Sequence, residues 1–223
     1  MVERSSKMKI CYISLFPEVI EAYNNVGMMR KAQEIDAVEF IYLNLREFGL
    51  GPRRQVDDTP YGGGDGMVLK PEPISGAILK AKDLVGEDAL VILPTPRGKL
   101  FTQDDSKRFA KINKNLIIFC PRYEGYDERI VKLVDEQICI GSYVLTGGEI
   151  PAMVISDSIV RLRPDVLGGA QSVDKESFQN NLTFVEHAQY TRPEIFEGSS
   201  VPEVLKNGNH KEIEKWREEN SLT

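Results

Sequence analysis

Cysteine and histidine are scarce in this sequence. Of its 223 residues, three are cysteine and two are histidine. Cys11, Cys120 and Cys139 lie far apart in apolar runs without CxxC spacing, so we expect free, buried thiols in a reducing compartment. So few thiols and imidazoles also argue against a zinc site. The sequence thus excludes disulfide-stapled and zinc-dependent classes of protein.

Long apolar runs and an excess of positive charge are missing too. No run approaches the roughly 18 apolar residues of a membrane span, and no apolar segment typical of a secretory signal follows the charged amino terminus. We therefore expect a cytoplasmic protein without a membrane partner. Because the formal net charge is −6, a nucleic acid would have to bind a local basic patch.

The sequence does contain five short apolar runs rich in β-branched residues, each of strand length. They are Lys9–Leu15, Val38–Leu43, Ala89–Leu93, Asn115–Cys120 and Gln137–Ile140. Helical patterns alternate with them at Pro17–Arg30, Ile74–Leu84, Asp104–Ile112, Asp127–Val134 and Glu149–Leu162. Strands that alternate with helices predict an α/β domain built on a largely parallel sheet.

This alternation stops near residue 165, where a polar, glycine-containing stretch begins. Such a stretch is typical of a linker. Two short helical patterns follow it, at Pro202–Lys206 and Asn209–Asn220. We therefore predict a first domain over residues 1–165, a linker over 166–176 and a small helical domain over 177–223.

Three segments that directly follow predicted strands are rich in glycine, proline and tyrosine. They are LPTPRG (Leu93–Gly98), PRYEGYDER (Pro121–Arg129) and IGSYVLTGGEIP (Ile140–Pro151). The carboxyl ends of parallel strands meet at one edge of a sheet, where α/β proteins bind ligands. The third segment also leads into a helix, whose first amides favour a polar or anionic group. We predict a pocket that contacts its ligand mainly through backbone N–H and C=O groups.

A fourth segment, VDDTPYGGGDGM (Val56–Met67), has four glycines within five residues. This density excludes a helix or a central strand and lets the backbone approach a ligand closely. Arg53 and Arg54 precede it and have guanidinium groups suited to phosphate. The segment matches neither the dinucleotide fingerprint nor the P-loop pattern. On these residues alone, a flexible surface loop is an equally good interpretation.

At these motifs the chain resembles the bacterial tRNA (guanine-N1)-methyltransferases of the TrmD type, in the SPOUT superfamily. The shared motifs are SLFPE (Ser14–Glu18), VDDTPYGGGDGM, RYEGYDER, IGSYVLTGGEIPA, SxxRLRPxVLG (Ser158–Gly168), YTRPE (Tyr190–Glu194) and GNHKEI (Gly208–Ile213). They cover nearly the whole chain in the family's order. The resemblance implies a parallel α/β fold whose carboxyl-terminal half forms a deep trefoil knot, followed by a small helical domain that contacts tRNA. It also implies a homodimer whose active site is shared between subunits.

The resemblance further implies methyl transfer from S-adenosylmethionine to N1 of guanosine 37 of tRNA, next to the anticodon. The cofactor-binding residues that it implies are Thr95, Pro96, Gly98, Tyr123, Glu124, Gly125, Ile140, Gly141, Tyr143, Leu145, Gly147, Gly148 and Pro151. The substrate-binding residues are Asp57, Tyr61, Gly62, Gly63, Gly64 and Glu186. The family also needs Mg²⁺, but no carboxylate cluster in the sequence identifies its site.

The catalytic residues follow from the chemistry of guanine. N1 carries a proton, so a general base is needed, and such a base contributes roughly 10²–10⁴-fold. A cation must also stabilise the negative charge that develops toward O6. By resemblance, Arg161 is this cation and Glu176 is the base, at a position where the family has aspartate. Asp174, two residues earlier, is the alternative base.

Two other functions fit the same residues. The substituted linker positions are compatible with a divergent SPOUT methyltransferase that acts on another RNA. A non-catalytic dimer that binds the cofactor or RNA but has lost the base is the second alternative. Methylation of bulk tRNA compared with rRNA separates the first from the main prediction, and cofactor binding without turnover would identify the second.

Overall fold

The computed structural model describes residues 7–168, 176–178 and 182–222, and the chain divides into two compact units between Gly168 and Gly169. In chain order the elements of the first unit are β1 (Met8–Ser14), α1 (Pro17–Asn24), α2 (Gly27–Glu34), β2 (Val38–Asn44), β3 (Asp57–Asp58), β4 (Val68–Leu69), α3 (Pro71–Val85), β5 (Leu90–Leu100), α4 (Gln103–Lys111), β6 (Leu116–Phe119), β7 (Glu136–Cys139) and α5 (Glu149–Val160). Short 3-10 helices cover Leu45–Phe48 and Glu128–Leu133.

Five of these strands form a central sheet in the order β2-β1-β6-β5-β7. Every neighbouring pair in it is parallel. The predicted α/β domain with a largely parallel sheet is therefore confirmed. Because all five strands point the same way, the segments that follow β5, β6 and β7 leave the sheet at the same edge.

The sheet is buried on both faces, which explains why its strands are almost continuously apolar. In β1, Ile10 and Tyr12 face one layer, where they join Ile155 of α5 in a core cluster. Cys11 and Ile13 face the opposite layer and pack in a cluster with Ile78 of α3. The side chains of α3 thus cover one face, while α1, α2, α4 and α5 cover the other.

Two predicted helices differ from the observed ones. The pattern Pro17–Arg30 is two helices rather than one, because Val26 is extended and Gly27 has a φ of +56°. The pattern Asp127–Val134 forms the short 3-10 helix Glu128–Leu133 instead of an α-helix. Apolar spacing predicts that these residues are helical, but it indicates neither the break at Gly27 nor the difference between a 3-10 helix and an α-helix.

The cysteines are free thiols, as predicted. Cys11 and Cys120 are buried and Cys139 is half-buried. Burial raises the pKa of the Cys11 thiol to about 12, which keeps it protonated and unreactive near neutral pH.

In its described residues, the second unit has a hairpin, one α-helix and a 3-10 helix (Glu203–Leu205) within the predicted helical pattern Pro202–Lys206. The hairpin pairs β8 (Ile195–Phe196) with β9 (Ser199–Ser200), and the helix is α6 (His210–Glu219). Asn209 caps α6 by accepting a hydrogen bond from the Lys211 amide at 3.2 Å. The Trp216 ring of α6 packs edge-on against the rings of His187 and Tyr190, at centroid distances of 5.8 and 6.1 Å. The hairpin was not predicted, and residues 169–175 of the predicted linker lie outside the described residues.

None of the helices described here has both the length and the apolar character needed to span a membrane.

Candidate active site

The LPTPRG segment interrupts the pairing of β5 with β7. Pro94 and Lys99 both pair with Ile138, so residues 95–98 leave the strand and β5 resumes afterwards. The two backbones lie so close at this point that a Cβ on Gly98 would be 2.3 Å from the Ile138 nitrogen. Thr95, at the start of the excursion, accepts a hydrogen bond from the Tyr126 hydroxyl at 3.3 Å. The excursion is therefore anchored to the loop after β6.

A cleft of about 370 Å³ lies between the segments that follow β5, β6 and β7. Its volume falls in the range of small-molecule sites, roughly 300–1,000 Å³. The lining residues are Pro94, Thr95, Pro96, Arg97, Pro121, Arg122, Tyr123, Glu124, Gly125, Tyr126, Glu128, Ile138, Cys139, Ile140, Gly141, Tyr143, Val144, Leu145, Thr146, Gly147, Gly148 and Pro151. Every residue predicted to bind the cofactor lies among them except Gly98.

The glycine-rich segment is a small hairpin attached to this cleft at its base. The Glu124 amide donates to the Met67 carbonyl and the Leu69 amide donates to the Gly125 carbonyl, both at 3.0 Å. At the other end of the hairpin, the Tyr61 side chain is fully exposed. Asp57, Tyr61 and residues 62–64, predicted to bind substrate, lie outside the cleft lining. The structure connects these residues to the cleft without placing them in it.

An ion pair joins Arg122, which lines the cleft, to the buried Glu149. The Arg122 Nε donates to Oε2 of Glu149 at 2.8 Å, and the Ser14 hydroxyl donates to Oε1 at 2.6 Å. The guanidinium also lies 4.8 Å from the ring centroid of Phe16. These contacts join the end of β1, the loop after β6 and the first residue of α5. We call Ser14, Arg122 and Glu149 the Arg122–Glu149 network.

The predicted catalytic residues lie in different units. Arg161 is half-buried at the end of α5, where its amide donates to the Asp157 carbonyl at 3.0 Å. Glu176 and Glu186 are half-buried in the second unit, and the Glu186 amide donates to the Ser177 hydroxyl at 3.1 Å. Asp174 lies outside the described residues. The pairing of Arg161 with Glu176 therefore stays a prediction.

Within the described ranges, no group of three or more histidine, cysteine, aspartate or glutamate side chains is placed to hold a metal ion. The expected Mg²⁺ thus has no assigned site in this part of the chain.

Sequence reasoning missed the Arg122–Glu149 network, although each of its members belongs to one of the motifs. The sequence indicates Glu149 only as the start of a helical pattern and contains Arg122 only as part of the PRYEGYDER segment. Ser14 and Glu149 are 135 positions apart, and Arg122 and Glu149 are 27 apart. The double glycine before Glu149 was the available signal, since it marks a close backbone approach.

Comparison with known proteins gives a consistent result. The model of the family "tRNA (Guanine-1)-methyltransferase TrmD" matches residues 8–223. The chain belongs to this family. The family predicted from the motifs is thus confirmed, and with it the enzyme class.

Individual relatives agree with this membership. A tRNA (guanine-N(1)-)-methyltransferase of Dictyoglomus turgidum is 47% identical over 96% of this chain and 85% of the relative. The protein of the same description from Bacillus subtilis is 47% identical over 96% of this chain and 88% of its own length. The crystal structure of tRNA (m1G37) methyltransferase from Aquifex aeolicus has a TM-score of 0.78 at 37% identity, over 94% of this chain and 87% of that one.

Proposed function

We propose that this chain methylates N1 of guanosine 37 in tRNA, next to the anticodon, with S-adenosylmethionine bound in the cleft. One observation carries the proposal. The residues that the family's motifs predict for the cofactor, all but Gly98, surround the same cleft. Family membership supplies the reaction class.

The cleft fits a ligand with polar groups around an apolar centre. Its lining residues come mainly from the segments after β5, β6 and β7, and they include Gly147 and Gly148 directly before α5. The first amides of a helix favour polar or anionic groups such as a carboxylate. When bound, S-adenosylmethionine supplies a methyl group already activated by the positive charge on sulfur. The protein then has to orient that group and exclude water.

The remaining chemistry falls to side chains near guanine. Glu176 accepts the N1 proton, and Arg161 stabilises the negative charge that develops toward O6. Glutamate has one methylene more than the family's aspartate. The backbone at Glu176 therefore has to lie farther from the guanine for the carboxylate to reach the same position. Asp174 is the alternative base.

The glycine-rich hairpin is the proposed receiver of the flipped guanosine. Tyr61 at its tip is fully exposed and free to stack on a base. The end of the hairpin opposite Tyr61 is hydrogen-bonded to the loop that lines the cleft. This attachment would bring the guanine and the methyl donor together. Arg53 and Arg54 precede the hairpin, are exposed and suit phosphate contacts. Glu186 completes the proposed substrate contacts.

We also propose a homodimer with a shared active site. Apolar side chains stay exposed on the adjacent helices α1 and α5, and clustered exposure of this kind marks an interface. These side chains are Phe16, Val19, Tyr23, Ile150 and Val154. The Tyr23 hydroxyl donates to Asp157 of α5 at 2.5 Å, which joins the two helices into one face. A second copy of the chain is the proposed occupant of this face.

The trefoil knot, the tRNA-contacting role of the second unit and the cytoplasmic location belong to the same proposal. The knot is supported by membership in the family, whose motifs imply it. The location is supported by free cysteines and by the tRNA substrate.

The test is methyl transfer from labelled S-adenosylmethionine to unmodified tRNA, followed by mass spectrometry of the nucleosides. We expect 1-methylguanosine at position 37, none in a transcript with adenosine there, and a loss of roughly 10²-fold or more in Glu176→Gln. Glu176→Asp tests the placement of the carboxylate. Higher activity in this variant than in the wild type would show that the glutamate is misplaced. Methylation of rRNA instead of tRNA would overturn the substrate. Cofactor binding without turnover on either RNA would overturn the enzyme assignment.

A further inference from the structure

We propose that Arg122 and Glu149 are positioning residues for the methyl donor. In this proposal their ion pair holds residues 146–148, one wall of the cleft, in the conformation that binds S-adenosylmethionine. The inference rests on the proposed use of the cleft for that cofactor. Neither residue carries a catalytic role in it.

The Glu149 side chain is buried, and both of its carboxylate oxygens are hydrogen-bonded. Its side chain is only 2% exposed, and it is not part of the cleft lining. Each carboxylate oxygen accepts a hydrogen bond, Oε1 from Ser14 at 2.6 Å and Oε2 from Arg122 at 2.8 Å. A buried carboxylate is costly unless it is paired in this way. Its position therefore fixes the position of the guanidinium.

The guanidinium in turn lies directly against the wall of the cleft. Its Nη1 donates to the Thr146 carbonyl at 3.3 Å. At Gly147 the contact is so close that a Cβ would be 2.3 Å from the Arg122 Nε. The next amide, that of Gly148, donates to the Pro121 carbonyl at 2.8 Å. A displaced guanidinium would therefore let this part of the wall move.

A direct contact between Arg122 and the cofactor is the competing explanation, because Arg122 itself lines the cleft. The two explanations differ in what they require of Glu149. A direct contact needs only the guanidinium. Positioning needs the carboxylate as well, although Glu149 cannot touch a ligand in the cleft. Variants of Glu149 therefore decide between them.

The experiment compares Glu149→Gln, Arg122→Gln and the double variant in the full chain. S-adenosylmethionine binding is measured by calorimetry, and KM is determined separately for the cofactor and for tRNA. We expect the cofactor Kd and KM to rise about tenfold or more in each, the scale of one or two weakened hydrogen bonds. The KM for tRNA should stay within about twofold, and the double variant should be no worse than the worse single one, since all three break the same contact.

A second measurement tests, without any ligand, whether residues 146–148 become more mobile in the variants. Exchange of the Gly148 amide hydrogen should be faster in all three variants than in the wild type, because the hydrogen bond to Pro121 opens more often. Thermal unfolding shows that each variant is folded. A single variant can unfold because it leaves one buried charge without its partner. The double variant removes both charges, so it still tests the proposal in that case.

The matched control is Arg108→Gln with Glu136→Gln. This arginine–glutamate pair is bidentate, at 2.6 and 2.7 Å, but it joins α4 to β7 outside the cleft lining. Its side chains are 43% and 31% exposed. The cofactor Kd should match that of the wild type.

Each other result counts against a defined part of the proposal. Weak binding in Arg122→Gln alone, with Glu149→Gln like the wild type, would make Arg122 a direct contact and overturn positioning. Wild-type binding in the folded double variant would also overturn it. A wild-type chain that does not bind S-adenosylmethionine would instead overturn the proposed function on which the inference depends.

Discussion

At the scale of single residues, glycine decides how closely backbone segments approach one another around the cleft. Gly98 lies against residues 137 and 138 of β7, and Gly148 lies against Pro121, where a Cβ would be 2.5 Å from the proline Cδ. These are close approaches between parts of the chain rather than turns. Even the methyl group of an alanine at either position would push the two segments apart.

Gly98→Ala should weaken both the fold and the cofactor site, because the new methyl group would meet the β7 backbone. Overpacking of this kind costs about 1–3 kcal/mol, and each 1 kcal/mol lowers Tm by roughly 2–4 °C in a domain of this size. We also expect the Kd for S-adenosylmethionine to rise. Calorimetry and a melting curve measure both effects.

Gly76→Ala is the control, since the nearest atom to its Cβ is Phe48 Cδ1 at an ordinary 3.5 Å and the site lies inside α3. It should be neutral or slightly stabilising. A Gly98→Ala protein with the Tm of the wild type would contradict the strain that we infer at β5 and β7.

Sequence reasoning located most of the cleft because its residues come in runs that follow strands. Tyr123 to Gly125 and Gly147 to Gly148 are read directly from such runs. The ion pair of Arg122 with Glu149 could not be read, because spacing gives no distance between loops that meet only in the folded chain. Gly98 was placed in the pocket, but its role in the structure is to let β5 approach β7.

At the scale of elements, the start of α4 shows how local side chains fix a helix. Thr102 and Asp105 form a reciprocal capping box. The Thr102 amide donates to the Asp105 carboxylate at 3.2 Å, and Lys99 lies 3.0 Å from the same carboxylate. Burial alone would raise the pKa of Asp105, but the hydrogen bonds from Lys99, Thr102 and Arg108 outweigh it and lower the pKa below its ordinary 3.8.

Asp105→Asn should lower the free energy of unfolding by about 1 kcal/mol, the usual scale for a lost cap. Since the folded-state pKa is lowered, the ionised carboxylate stabilises the protein above pH 3.8 and this contribution is lost as pH falls through the folded-state pKa. The difference between the variant and the wild type should be constant from neutral pH down to about 5. Urea unfolding at several pH values measures it.

A difference that grows as the pH falls below neutral would contradict the lowered pKa. Asp104→Asn is the matched control, because Asp104 is 68% exposed and its contact with Lys107 is a surface ion pair at 3.6 Å. Such pairs contribute little.

The strands were easier to predict than the connections between elements. All five central strands follow from apolar runs such as Lys9–Leu15, since burial on both faces needs no special local chemistry. The break at Val26 and Gly27 depends on how α1 and α2 pack against the sheet. The hairpin β8–β9 has only two residues in each strand, which is too short for an alternating pattern to be seen.

At the scale of the whole molecule, the exposed face of α1 and α5 sets the expected assembly. Val154→Glu places a charge on that face, where Val154 is 44% exposed in the single chain. Burying an unpaired charge costs several kcal/mol, so the wild type should sediment as a dimer and the variant as a monomer. With a shared active site, the monomer should also lose methyl transfer.

Leu79→Glu is the control for Val154→Glu. Leu79 is 63% exposed but lies on α3, on the opposite face of the sheet. Its sedimentation should not change. A Val154→Glu protein that remains dimeric would move the interface elsewhere.

The glycines that line the cleft also bear on how the protein could become resistant to an inhibitor that binds there. A compound that bonds to loop amides and carbonyls makes contacts that no side-chain substitution removes. Among these glycines, a Cβ on Gly148 would meet Pro121 and the Cys120 backbone, and a Cβ on Gly147 would displace the Arg122 side chain. Resistance would therefore have to arise through changes that also damage the cleft, or through changes elsewhere in the cell, such as uptake of the compound.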